Sequence, residues 1–278
     1  QRIAQQIKET LKSNLSIVIV VSAMGKTTNN LINLSKEVTA SPCPREYDAL
    51  VSTGENISAA LLAMALKNQN IDAISLTGAQ AGILTEELHE KAKILTIKTT
   101  RITQELEAGK VVVITGFQGI NPNADITTIG RGGSDTSAVA LAAALGAPEC
   151  EIFTDVDGVY TTDPNRVPDA TKLTEISYEE MLEMASLGAK VLHPRAVECA
   201  KENNIILHVR SSFNTNEGTR VKEATTLEVQ KPVTGVAIND KEAIVSLIGV
   251  PDNPGIAGEI FTKLAEKNIN VDMKFIFY

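Results

Sequence analysis

The chain has 278 residues, 43% of them hydrophobic, and carries a formal net charge of −8. At roughly 150 residues per domain it has room for about two domains and a substantial core, while its acidic balance and the lack of any dense Lys/Arg cluster exclude nucleic acid and an acidic membrane surface as partners. Its three cysteines, Cys43, Cys150 and Cys199, are odd in number and far apart, which argues against a disulfide framework or a zinc site and fits a reducing cytoplasm.

No apolar run is expected to reach the roughly 20 residues of a membrane span, and the N-terminus lacks a signal-peptide pattern. Gln1 to Ser13 has helical periodicity (Ile3, Ile7, Leu11) and leads straight into "SIVIVVSA" (16–23), which reads as a buried strand, so Gln1 is expected not to be a natural start. A helix is expected near 54–68, a strand at "IDAISLT" (71–77), a helix near 100–108 and a strand at "KVVVITG" (110–116). Further along come a helix from Asp135 to Leu145, a strand at "CEIFTDV" (150–156), helices near 178–187 and 195–203, and a strand at "IILHVRS" (205–211). Strands alternating with longer helices imply a mostly parallel α/β sheet covered on both faces. Ser177 and Glu180 have the S-x-x-E spacing of a capping box.

Residues 212–232 are polar, lack long periodicity, and read as a linker with one short strand. After it come strand "VTGVAIN" (233–239), strand "EAIVSLIGV" (242–250), turn "PDNPG" (251–255), a helix to about Asn268 and strand "INVDMKF" (269–275). A piece this small cannot complete a core alone, so 233–278 reads as a half-module.

Four loops carry candidate chemistry. "GRGGSD" (130–135) follows a strand and loop and opens a helix, the setting in which glycines and unpaired N–H groups cradle an anion. The alternative is a plain turn capped by Ser134 or Asp135, but the fork of Arg131 suits a carboxylate or phosphate better than it suits a turn. "TDVDGVYTTDP" (154–164) crowds carboxylates, a tyrosine and threonine hydroxyls behind a strand, where open α/β sheets bind ligands; an Asp-Gly turn alone needs only Asp157 and Gly158. In "VVSAMGKTTNNL" (20–31), Thr27 and Thr28 lead a helix and could equally form an N-cap cluster. In "STGEN" (52–56), Glu55 opens a helix whose dipole it would also favour.

Taken together, "VVSAMGKTTN", "STGE", "TGFQG", "GRGGSDTSA", "FTDVDGVYTTDP" and "GAKVLHP", in this order over residues 16–211, with "GVPDNPGIAGEIF" beyond them, resemble the aspartate kinases of the amino acid kinase superfamily. The resemblance implies a three-layer amino acid kinase fold over 1–211, a linker at 212–232, and at 233–278 part of a ferredoxin-like (α+β) ACT regulatory domain. It implies transfer of the γ-phosphoryl group of ATP, carried with Mg²⁺, to the β-carboxylate of L-aspartate, giving 4-phospho-L-aspartate for lysine, threonine and methionine synthesis in the cytoplasm. By the same resemblance Ser22, Thr28, Glu55, Arg131 and Ser134 form the aspartate site, with Glu55 facing the ammonium and Arg131 a carboxylate. Thr154, Asp155, Tyr160, Asp163, Asn165, Arg166 and Lys190 form the nucleotide site, and Arg131, Asp135 and Lys190 are the catalytic residues. Asp252, Asn253, Pro254, Gly255, Ile256, Ala257 and Asn270 form an effector site for lysine or threonine, and a homodimer through ACT domains is implied. His89, His193 and His208 are not expected to be catalytic, His193 before Pro194 is expected to be structural, and no resident metal site is expected. The Lys-Phe-Gly-Gly strand that opens the family has no counterpart in this sequence, so a chain beginning at Gln1 is expected to turn over little. The rival readings are a kinase of another acid and a catalytically impaired amino-acid-sensing subunit.

Overall fold

The computed structural model describes residues 2–13, 15–189, 191–224, 233–238 and 255–267, and the chain divides into two units, 1–238 and 239–278. In chain order the first unit contains α1 (Arg2–Thr10) with a 3₁₀ turn behind it, β1 (Val18–Val21), α2 (Thr27–Val38), α3 (Pro44–Val51), α4 (Thr53–Lys67), β2 (Ala73–Leu76), β3 (Ile83–Thr85), β4 (Ile94–Ile97) and α5 (Thr100–Glu107). It continues through β5 (Val111–Thr115), β6 (Gln118–Ile120), β7 (Ile126–Thr128), α6 (Gly133–Leu145), β8 (Glu149–Thr154), β9 (Glu175–Ser177), α7 (Tyr178–Ser186), α8 (Pro194–Asn203), β10 (Ile206–Ser211) and β11 (Thr219–Lys222).

Three sheets organise these elements, in the orders β1-β5-β2, β8-β10-β11-β9 and β4-β3-β6-β7. The first is parallel throughout, β8 runs parallel to β10, and the third is built from the antiparallel pairs β3/β4 and β6/β7. The all-apolar sequence of β5 is explained by its two covered faces. Val111 and Val113 pack with α1 and α4, while Val112 and Ile114 pack with Ile102 of α5 and Leu141 of α6. Each such burial contributes roughly 1.5–3 kcal/mol. β1, expected to be buried, is only half-buried at all four residues, because among the described residues its ladder has β5 on one side alone.

α6 is apolar on every side because it lies between two cores. Val139 and Ala142 join the cluster of β8, β10, α7 and α8, whereas Leu141 joins the cluster under β5, β2 and α5. Its alanines let both halves approach closely, and Gly146, at φ +67°, ends it in the left-handed conformation that glycine adopts without steric penalty.

Several expectations need correction. α3 and α4 run together as a 24-residue helical stretch, Pro44–Lys67, long and apolar enough by length and composition to cross a membrane. Its apolar residues Val51, Ala59, Ala63 and Leu66 are buried in this unit, and so are the charged side chains of Asp48 and Glu55, which explains the hydropathy as core packing. Residues 233–238, expected to be a strand, form none; Val236 N–H donates to the Thr161 carbonyl at 2.7 Å, and the Thr234 hydroxyl bonds Glu180. The capping box is formed as expected, with Glu180 N–H donating to Ser177 Oγ and Ser177 N–H donating to Glu180 Oε2 at 3.0 Å. In the second unit, α9 (Ile256–Glu266) answers the expected helix, while the strands expected at 242–250 and 269–275 lie outside the described residues.

Candidate active site

Parallel pairing brings the carboxyl ends of β1 and β5 side by side, with Gly116 N–H donating to the Val21 carbonyl at 3.0 Å. Three loops meet there. A Cβ added to Gly54 would lie 2.9 Å from Ala23 Cβ, and one on Gly116 would lie 2.9 Å from Ser134 Oγ, so glycine at both positions lets the loop after β1, the start of α4 and the start of α6 converge. Ser22 is exposed, while Thr28, in the first turn of α2, and Ser134 are half-buried. Glu55 is only 3% exposed; its Oε1 accepts from Ala23 N–H at 3.0 Å, and its Oε2 is buried without a partner among the described residues. Burial pushes the Glu55 pKa above the usual carboxylate range, against a smaller opposing pull from the Ala23 N–H. A buried carboxylate oxygen without a donor is unfavourable unless something cationic meets it.

The loop before α6 is not a turn capped by a side chain. Gly130 and Gly132 have φ of +85° and +68°, Gly132 is the N-cap, and no side chain caps the helix. Ser134 and Asp135, the alternative caps, therefore do not close the helix start, and within the first turn Gly133 N–H donates to the Gly130 carbonyl at 2.9 Å. A Cβ on Gly132 would sit 2.2 Å from His193 Cβ, so the loop presses against the turn before α8. Arg131 is exposed, and its guanidinium has no ion-pair or hydrogen-bond partner among the described residues. Asp135 is half-buried at the same helix start, and its partial desolvation pushes its pKa up to about 6. Thr27 and Thr28 do not cap α2 either; the N-cap is Lys26, and Thr27 Oγ1 donates to the Met24 carbonyl at 2.8 Å.

The expected nucleotide residues gather separately, behind β8. Thr154 Oγ1 donates to Asp155 Oδ1 at 3.2 Å, Asp163 Oδ1 accepts from Asn165 N–H at 2.9 Å, and Arg166 lies 3.8 Å from Asp163 Oδ2. The Tyr160 hydroxyl donates to Asp157 Oδ1 at 2.7 Å, and Asp157 also accepts from Asn216 and Lys172, which holds its pKa below the usual range. Asp157 thus fastens this loop to the one after β10. Burial lowers the His193 pKa, and Arg195 and Arg131 add to it. His193 Nδ1 accepts from Arg195 N–H at 3.4 Å as the cap of α8, a structural role. Lys190, expected near the phosphates, lies outside the described residues, as do Asp252, Asn253, Pro254 and Asn270. Gly255 (φ +101°) opens α9, with Ile256 half-buried and Ala257 exposed.

Glu149, Glu151 and His208 come together with metal-ligand geometry, a grouping that sequence spacing does not show. Arg220 lies 3.4 Å from Glu149 and Arg210 pairs with Glu151, so these carboxylates are already neutralised by fixed cations and the cluster does not fit a metal. Sequence reasoning also passed over Asp48 and Arg195, charged residues inside helices that touch the backbone beneath the glycine loop.

The profile of the amino acid kinase family matches residues 1–211. The aspartokinase of Geobacillus stearothermophilus is 52% identical over 273 residues, which cover 98% of this chain and 67% of that relative. The crystal structure of aspartate kinase from Synechocystis superposes with a TM-score of 0.71 at 47% identity, covering 98% of this chain and 46% of that one. E. coli aspartokinase III in complex with aspartate and ADP gives a TM-score of 0.72 at 30% identity, covering 91% of this chain and 57% of that one. The chain thus spans about two thirds of the curated relative and roughly half of these crystallised chains.

Proposed function

As this chain belongs to the amino acid kinase family and, within it, to the aspartokinases, we propose that it transfers the γ-phosphoryl group of ATP to the β-carboxylate of L-aspartate. One observation carries the reading. Arg131, whose guanidinium has no partner among the described residues, leaves an uncapped helix start near the strand ends where Glu55 buries a carboxylate oxygen that likewise has no partner among them. A zwitterionic acid needs one fixed cation and one fixed anion, and these two groups supply them. Ser22, Thr28 and Ser134 add hydroxyls around the same strand ends.

The substrate carboxylate is ionised at neutral pH and attacks without a general base. One of its oxygens bonds the γ-phosphorus while the bond to the β-phosphate oxygen breaks, and ADP leaves with the electron pair. Alignment and charge neutralisation therefore do most of the work, with Mg²⁺ arriving on ATP. Thr154, Asp155, Tyr160, Asp163, Asn165 and Arg166 hold the nucleotide, with Lys190 at the phosphates and Asp135 beside the transferred group. Residues 233–278 are the partial ACT domain, through which lysine or threonine acts at Asp252 to Ala257 and Asn270 and through which the protein dimerises in the cytoplasm. In this reading 4-phospho-L-aspartate serves lysine, threonine and methionine synthesis.

Hydroxylamine trapping tests the proposal. With Mg-ATP, the full-length gene product is expected to form hydroxamate from L-aspartate and none from L-glutamate or N-acetyl-L-glutamate. Product from another acid alone would overturn the substrate; no product from any acid, despite ATP binding, would overturn the kinase in favour of a sensing subunit.

A further inference from the structure

Beneath the glycine loop, two charged side chains spend their polar atoms on main chain. Asp48, on α3, is fully buried. Its Oδ2 accepts from Thr128 N–H at 3.0 Å, Glu90 N–H at 3.0 Å and His89 Nδ1 at 2.9 Å, and its Oδ1 accepts from the Thr128 hydroxyl at 2.6 Å. Thr128 ends β7, two residues before Gly130. From the opposite side, Arg195 near the start of α8 donates through Nη1 to the Ile129 carbonyl and through Nη2 to the Ala92 carbonyl at 3.3 Å. Ala92 N–H in turn donates to the Thr128 carbonyl at 2.9 Å, and a Cβ on Gly130 would lie 2.8 Å from the Glu90 carbonyl oxygen.

Burying the Asp48 carboxylate is expensive, the half-buried Arg195 guanidinium adds to the cost, and their bonds could be replaced by apolar packing if stability were all they served. Here the bonds converge on one stretch of backbone. Asp48 fixes Thr128, Arg195 fixes Ile129, and the Glu90–Ala92 turn closes under Gly130, so the residue that launches Arg131 is held from three directions.

We infer that Asp48 and Arg195 are positioning residues for the anion loop: together they set the height and direction at which Gly130 presents Arg131 and the first turn of α6. The consequence for catalysis rests on the loop's proposed role in holding the substrate carboxylate. A misplacement of about 1 Å is enough to lower a rate 100-fold, whereas residues behind β8 have no share in these bonds.

The test combines two readouts on Asp48→Asn, Arg195→Met and the near-isosteric Thr128→Val, with Glu105→Gln on α5 as the control. Limited trypsin digestion of the chain, with the fragments identified by mass spectrometry, reports loop order through the cut after the exposed Arg131, read separately from cuts at the other lysines and arginines. Asp48→Asn and Arg195→Met are expected to speed cleavage after Arg131 at least tenfold, Thr128→Val by less, and Glu105→Gln not at all. In the full-length gene product, the same two variants are expected to raise KM for L-aspartate at least tenfold while KM for ATP stays within twofold. Wild-type cleavage rates and KM values in both variants would overturn the inference, and so would an equal rise in KM for ATP, which marks a general prop for the domain. A wild-type protein making no hydroxamate would defeat the proposed function instead and leave the cleavage rates to decide the positioning role.

Discussion

Replacing Asp135 with Asn isolates a group that the fold makes uncomfortable. Its carboxyl is half-buried in the first turn of α6 without a hydrogen-bond partner among the described residues, and desolvation raises its pKa from 3.8 to about 6. Between these values the folded chain holds a proton that the unfolded chain has released. Its stabilising effect is therefore complete below about pH 3.8, declines as pH rises through about 6, and is gone above that. A gap of about 2 pH units is worth about 3 kcal/mol at 1.36 kcal/mol per unit. The helix N-terminus, which favours the carboxylate, returns roughly 0.3–1 kcal/mol of this, leaving about 2 kcal/mol as the deficit carried by the ionised form at neutral pH. Asparagine keeps the shape and drops the charge. At pH 7.5, Asp135→Asn is expected to raise Tm by about 4–8 °C, at roughly 2–4 °C per kcal/mol for a unit of this size. The gain should shrink to nothing by pH 4, and activity should fall together with the rise in stability. Thermal denaturation followed by circular dichroism between pH 4 and 8 measures the difference. An equal Tm gain at both ends of that range, or a loss at pH 7.5, would refute the reasoning.

Other substitutions probe the remaining links. Arg131→Met should weaken L-aspartate binding by about 10- to 150-fold in calorimetry, the value of a charge-assisted hydrogen bond of about 1.5–3 kcal/mol, with Arg131→Lys recovering only part. Gly132→Ala, at φ +68° and 2.2 Å from His193, should abolish activity and lower Tm sharply, whereas Gly109→Ala, at φ +78° with nothing within 4 Å, should lose only the left-handed penalty of about 1–2 kcal/mol. Ser177→Ala removes a formed capping box and should cost about 1 kcal/mol in chemical denaturation. Thiol labelling should modify the exposed Cys43 rapidly and leave Cys150 untouched until the chain unfolds, because burial pushes the Cys150 pKa up to about 12.

Periodicity alone recovers the long elements. α4, α6, α8, β5 and β10 read correctly because each buries a regular face, or two faces, across several turns or pleats. The β3, β4, β6 and β7 sheet does not read at all: its strands have three or four residues, too few for a pattern, and they exist through partners such as Leu84 opposite Ile120, far away in the chain. β1 misleads in the other direction, since four β-branched residues promise burial whatever their neighbours prove to be. The glycine loop stands out in the sequence because Gly130, Gly132 and Arg131 combine backbone freedom with charge, and the structure removes the capping alternative. Asp48 and Arg195 were not legible, because a charged residue in a helix looks the same in sequence whether it faces water or a carbonyl across the core.

The place of α6 between two cores bears on how the first unit comes apart. A helix with one apolar face can stay docked when its other neighbours melt, but Val139 and Leu141 anchor opposite sides of α6 to separate clusters. Neither cluster can open without exposing a helix that the other still needs, so the two halves should share one unfolding transition, with uniformly high amide protection along α6. The glycine loop lies at the first turn of that helix, and its order is thereby tied to the cooperativity of the whole unit.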